Sequence, residues 1–164
     1  MSRLSDILRD TLLAGVEGQG AHTDSSRLLD GLDWELAGRK LPGVPYTIQQ
    51  EANHVVYWNG YAVAASRGEN PTPPEHAVDG WPGPEAPASA AEWETFVKAY
   101  KASLAALAGE IRRVDLGEMM PSGRRSRADV LRAMGNHVSY HGGQIALLRR
   151  MMGAWPPPGG GDTW

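Results

Sequence analysis

Ser126-Arg127-Ala128-Asp129-Val130-Leu131-Arg132-Ala133-Met134-Gly135-Asn136-His137-Val138-Ser139-Tyr140-His141-Gly142-Gly143-Gln144-Ile145-Ala146-Leu147-Leu148 is the stretch that decides the fold class. Ser126, with Asp129 three residues on, is a helix-start pattern. Val130, Met134, His137, Val138, His141, Ile145, Leu148 and Met152 then recur in steps of three and four, one apolar stripe along a helix. The stripe stops at Gly153. Trp155-Pro156-Pro157-Pro158-Gly159-Gly160-Gly161 behind it cannot be helical. Two histidines stand inside the stripe.

Three more stretches upstream carry the same period. Thr47-Ile48-Gln49-Gln50 has capping-box spacing and opens a helix with a stripe of Ile48, Ala52, Val55, Asn59 and Ala62. Glu51, His54, Trp58 and Tyr61 form a second stripe beside it, and the helix should end near Arg67-Gly68. Ser89-Ala90-Ala91-Glu92 reads as another capping box, followed by Trp93, Phe96, Val97, Tyr100, Leu104, Leu107 and Ile111. At the front, Leu4, Ile7, Leu8 and Leu12 predict a helix from about Ser2 to Leu13, ended by Gly15, Gly18 and Gly20. Asp33-Trp34-Glu35-Leu36-Ala37 fits a short extra turn. Residues 69–88 hold Pro71, Pro73, Pro74, Pro82, Pro84 and Pro87, a density that leaves no regular element and suits a lid or an interface arm. No alternating Val-, Ile- or Thr-rich segment reads as a strand. The expectation is one all-α domain over 1–164, a four-helix bundle of up-down helices with a long Pro-rich loop between its second and third helices.

Composition narrows the function classes. The 164 residues carry 16 basic and 19 acidic side chains, a net charge of -3, which argues against a nonspecific nucleic-acid binder. No run approaches the ~20 apolar residues of a membrane span, and the N-terminus lacks the apolar core of a signal peptide. A cytoplasmic protein without nucleic-acid or membrane partners is expected. The absence of cysteine excludes disulfides, thiolate ligands and a cysteine nucleophile. Any thiol chemistry would need a thiol from outside.

His137 and His141 lie one helical turn apart on an apolar face, so both point inward. A buried, unpaired imidazole is costly, and two of them invite a shared solution such as a divalent metal. One buried, hydrogen-bonded histidine beside an exposed one is the plainer alternative. His54, mid-helix in the second helix beside Glu51 and Trp58, makes a third. Three imidazoles from two helices can hold a metal and leave positions open, the catalytic rather than the structural pattern.

Asn136-His137-Val138-Ser139-Tyr140-His141-Gly142-Gly143-Gln144-Ile145 resembles the fourth-helix motif of the DinB/YfiT-like superfamily, in which His, three residues and His-x-Gly-Gln recur. Thr47-Ile48 through His54 to Trp58 is similar to that family's second helix. His22 through Leu32, Pro42-Gly43 and Trp155-Pro156-Pro157-Pro158 look like one branch of it. The resemblance implies a four-helix bundle with a zinc or nickel site on His54, His137 and His141, waters completing the shell. It also implies a homodimer. Members with assigned activities include thiol-dependent transferases and isomerases that use mycothiol, bacillithiol or glutathione.

Further candidates for orienting a ligand or lining the pocket are His22, Glu51, Trp58, Tyr140 and Gln144. His22 stands in Ala21-His22-Thr23, where the branch often has Trp-His-Gly; it either lines the site or faces solvent. Glu51 either holds an imidazole tautomer or is a surface carboxylate. Tyr140 either donates a proton in the pocket or bridges helices. Gln144 either orients a ligand or joins two helices. His76 is expected exposed. Arg124, Arg125 and Arg127 at the fourth helix's start are a solvated cluster or an anion dock. Two function classes follow. One is a metal-dependent enzyme acting on a small molecule, by transfer of a low-molecular-weight thiol to an electrophile or by metal-hydroxide hydrolysis. The other is a non-catalytic, metal-bearing interaction module.

Overall fold

The computed structural model describes residues 3–19 and 21–160. Its helices are α1 (Arg3–Glu17), α2 (Trp34–Ala37), α3 (Ile48–Ser66), α4 (Ala90–Arg113) and α5 (Arg127–Met151). No strand occurs among the described residues; Met119 and Ser126 form one isolated bridge. The caps explain the starts. Thr47 with Gln50 and Ser126 with Asp129 form complete capping boxes. Ser89 caps α4 through the Glu92 amide, while the Glu92 carboxylate turns to the Ala88 amide instead of completing the box.

The four long helices form a bundle in which α1 packs on α4 and α5, and α3 packs on α4 and α5. Helices consecutive in sequence, α1 with α3 and α4 with α5, therefore face each other across the diagonal. Residues 18–47 and 114–126 are long enough to make those crossings. Ile48, Val55, Tyr100, Leu107, Ile111, Leu131, Val138 and Ile145 fill the shared interior.

Three sequence expectations change. Gly15 does not end α1, which runs on to Glu17; Ser2, the expected start, and Gly20 lie outside the described residues. Gly15 is instead where α1 meets α5, because a Cβ on Gly135 would stand 3.4 Å from the Gly15 carbonyl carbon. Gly18, at φ +79, is the turn that stops the helix. Second, Leu12 and Val16 are the buried residues of α1, whereas Leu4, Ile7 and Leu8 are exposed. Third, the Pro-rich loop holds a 3-10 turn over Ala77–Gly80, in the proline-free gap between Pro74 and Pro82, with the His76 amide bonded to Asp79 Oδ2. The tail after Gly153 is non-helical as far as Gly160; Gly161 lies outside the described residues.

Arg149 holds the tail against the first crossing. Its side chain is buried in the interior, which the stripe on α5 does not anticipate. The guanidinium donates to the carbonyls of Leu28 at 2.5 Å, Asp30 at 3.1 Å and Ala154 at 2.9 Å. Burial pushes its pKa down, and the nearby Asp30 carboxylate partly offsets this. Arg149→Met keeps the bulk and removes the donors. The free energy of unfolding should fall by about 2–4 kcal/mol, since buried carbonyls lose charged partners. Urea midpoints at unchanged m-value are the measurement. A loss under about 0.5 kcal/mol, the size of an ordinary surface change, would contradict this account.

Candidate metal centre

Both helices that carry histidines are fixed in register by their capping boxes. On α3, Glu51 and His54 are spaced one turn apart with Trp58 one turn further. On α5, His137 and His141 are one turn apart. Because α3 packs directly on α5, these two faces meet. One ring nitrogen of each histidine lies within 4.8 Å of the others. His54 Nε2 and His137 Nε2 are 3.0 Å apart.

The hydrogen bonds fix two tautomers. His54 Nδ1 lies 2.5 Å from the Gly80 carbonyl, which can only accept. The proton is therefore on Nδ1, and Nε2 keeps a lone pair. His141 Nδ1 lies 2.6 Å from Glu51 Oε2, a buried carboxylate, so His141 Nε2 is likewise bare when the ring is neutral. His137 Nδ1 is buried with no partner. A cation among the three rings satisfies lone pairs that otherwise crowd one another, and three neutral nitrogens suit a borderline divalent ion. The donor set fits a metal.

The loop completes the centre. Trp81 stacks on His54, centroids 3.9 Å apart and planes 16° apart, and Tyr46 stacks on Trp81 at 3.6 Å and 9°. A Cβ on Gly80 would meet Trp58 Nε1 at 3.2 Å, so glycine lets the 3-10 turn settle on α3. Thr47 Oγ1 donates to the Glu85 carbonyl at 2.6 Å and holds the loop's far end. Trp58 meets the rings of His54 at 6.2 Å and His137 at 6.4 Å.

A family model described as the DinB superfamily matches residues 19–145 of the 164. The chain belongs to the DinB superfamily. Comparison with the curated proteins and with the solved structures gives no match. The region matched to the DinB superfamily includes all three clustered histidines, Glu51 and the loop.

Other sequence candidates in this DinB-superfamily chain fall differently. His22 does not line the centre. It bonds Ser139, which points from α5 roughly half a turn away from His137 and His141. Tyr140 sets its ring edge against His141 at 5.0 Å but is 64% exposed, and it does not bridge helices. Gln144 is half-buried on the histidine side of α5 by spacing, and its amide has no hydrogen-bond partner among the described residues. His76 is exposed. Arg127 pairs with Glu118, Arg125 donates to the Asp129 carbonyl, and the Asp129 carboxylate occupies the first turn of α5. Sequence reading missed the Gly80 carbonyl and the Tyr46 face. A backbone acceptor has no side-chain signature, and only the long loop with its single tryptophan pointed toward the site.

Burial, then the neighbouring His141 and His54, pushes the His137 pKa down from 6.5 to about 3. Burial also lowers that of His54, against the Gly80 hydrogen bond, which raises it. Both rings are thus held neutral. In the unfolded chain they titrate near 6.5, so between these limits the unfolded state binds more protons. The stabilisation is fully present above the unfolded value and is lost as pH falls through the folded ones. With chelator present, melting temperatures should decline from about pH 7 to about pH 4, and less steeply in His137→Leu. Parallel declines in the two proteins would remove His137 as a cause.

Proposed function

We propose that this chain holds a divalent metal, zinc or nickel, on His54, His137 and His141, and transfers a low-molecular-weight thiol to a small electrophile. One observation carries the reading. Gly80 and Glu51 hold the Nδ1 protons of His54 and His141, which turns both Nε2 lone pairs toward the space that His137 Nε2 also faces. Imidazoles whose second nitrogen is already held by a carbonyl or carboxylate are oriented ligands of enhanced basicity. A bound ion would supply Lewis acidity and lower the pKa of a thiol or water beside it. Three ligands leave room for that partner.

The chain's own groups have separate tasks in this reading. Glu51 orients His141, and the Gly80 carbonyl orients His54. Trp81 and Tyr46 shield the His54 side from water. Approach is left to the side of half-buried His137, whose ring Trp58 also meets. The chain has no cysteine, so the thiol comes from outside. A homodimer belongs to the same reading, supported by exposed Leu147 and Met151 on α5; a monomer in sedimentation would remove it. No helix among the described residues is long and apolar enough to cross a membrane.

Metal analysis of protein purified without a nickel column should return zinc or nickel. Chelation should lower the melting temperature of the wild type more than that of His137→Ala, because only the former binds in the folded state. Glu51→Gln should weaken metal binding by about 10–100-fold. Added metal should speed conjugation of mycothiol, bacillithiol or glutathione to a model electrophile. His141→Ala should lose that gain with its circular dichroism unchanged. Equal rates in mutant and wild type across these thiols would discard transfer. Metal-hydroxide hydrolysis or a non-catalytic metal-bearing module would then stand in its place.

A further inference from the structure

On the far side of α5 from the histidine cluster, His22 Nε2 lies 2.9 Å from Ser139 Oγ. His22 Nδ1 lies 2.9 Å from the Thr23 carbonyl. That carbonyl can only accept, so the proton of neutral His22 is on Nδ1 and Nε2 is a base. Ser139 then donates its hydroxyl proton to Nε2; its other acceptor, the Gly15 carbonyl, is farther at 3.3 Å. Gly18 leaves room for the ring. At φ +79, a Cβ there would stand 2.4 Å from the imidazole.

The pair opens on a cavity of about 270 Å³. Its walls include Gly142, Gly143, Arg150 and Trp155, and the Arg150 guanidinium lies 5.1 Å over the Trp155 ring. A nucleophile in hydrogen-bond reach of a base, with the base oriented by a third group, is the arrangement that activates a serine. Here a backbone carbonyl takes the orienting place.

We infer that Ser139 and His22 form a nucleophile–base pair that accepts the acyl group of small, flat carboxylic esters in this cavity. Ser139 Oγ bonds the ester carbonyl carbon as its proton passes to His22 Nε2. The bond to the leaving alcohol breaks, and His22 returns the proton to that oxygen. Water then attacks the acyl carbon and gives a proton to His22. The carboxylic acid leaves as Ser139 Oγ takes that proton back. Ser139 sits mid-helix, where neighbouring amides are committed to the helix. The gain is therefore that of a positioned base, about 10²–10⁴-fold. None of this depends on metal at the histidine cluster.

The absence of cysteine makes the test clean, because Ser139→Cys carries one thiol. With chelator present, iodoacetamide should alkylate Ser139→Cys at least about tenfold faster than Ser139→Cys/His22→Gln, since a histidine base raises the thiolate fraction. Wild-type protein treated with p-nitrophenyl acetate should give an acetyl adduct mapped to Ser139 by peptide mass spectrometry, and His22→Gln should not. Equal alkylation in the two cysteine variants, or acetylation that spares Ser139, would overturn the inference. If the cysteine variants do not fold, the wild-type adduct map decides alone. Metal binding is read separately in the same proteins, so either reading can fail without the other.

Discussion

Three imidazole rings between two helices, two buried and one half-buried, each turning a nitrogen toward the other two, destabilise a core unless one partner satisfies them together. That constraint sits on the contact between α3 and α5, and much of the surrounding structure answers to it. Glu51 is buried because His141 needs an acceptor for its second nitrogen. The loop returns to α3 because His54 needs the Gly80 carbonyl. His137 keeps a buried nitrogen without a partner, and burial holds its ring uncharged.

The apolar packing around this seam is ordinary, and its exceptions are polar anchors. Arg149 ties the tail and the first crossing to α5 through three carbonyls. Glu110, also buried, takes Arg67, the residue just past the end of α3, at 3.2 Å and Arg113 from its own helix at 2.5 Å, which holds the far ends of α3 and α4 together. Arg9 of α1 donates to the Ile111 and Val114 carbonyls and closes the end of α4. Each anchor stands where a helix end meets a connection, the place where backbone groups lack partners of their own.

The capping residues and the stripes on α3, α4 and α5 were legible, because each is a local pattern with a local cause. So were the inward histidines, since their spacing and stripe fix their face. The limit of α1 was not. Gly15 reads as a terminator, yet it lies inside α1 beside Gly135 of α5, and glycine spacing alone cannot tell a helix interior from a helix end. Leu4, Ile7 and Leu8 have helical spacing, but spacing cannot say how far along a helix its partners extend. His22 lay in a loop, where no period assigns a face, and only the fold turned it toward Ser139. Gly80 was unreadable for a simpler reason: its contribution is a carbonyl that every residue possesses.

The diagonal order of the helices has a consequence for biosynthesis. As the chain leaves the ribosome, α1 has neither of its partners until α4 emerges, and it lacks its neighbour α5 until residues 127–151 have followed. A nascent chain ending before Arg127 displays His54 and Glu51 with nothing opposite them. Leu12 and Val16 then join the apolar surface that waits uncovered. Of the four long helices, α5 emerges last and supplies both the missing wall of the core and two of the three clustered imidazoles, so the histidine cluster and the bundle are completed together.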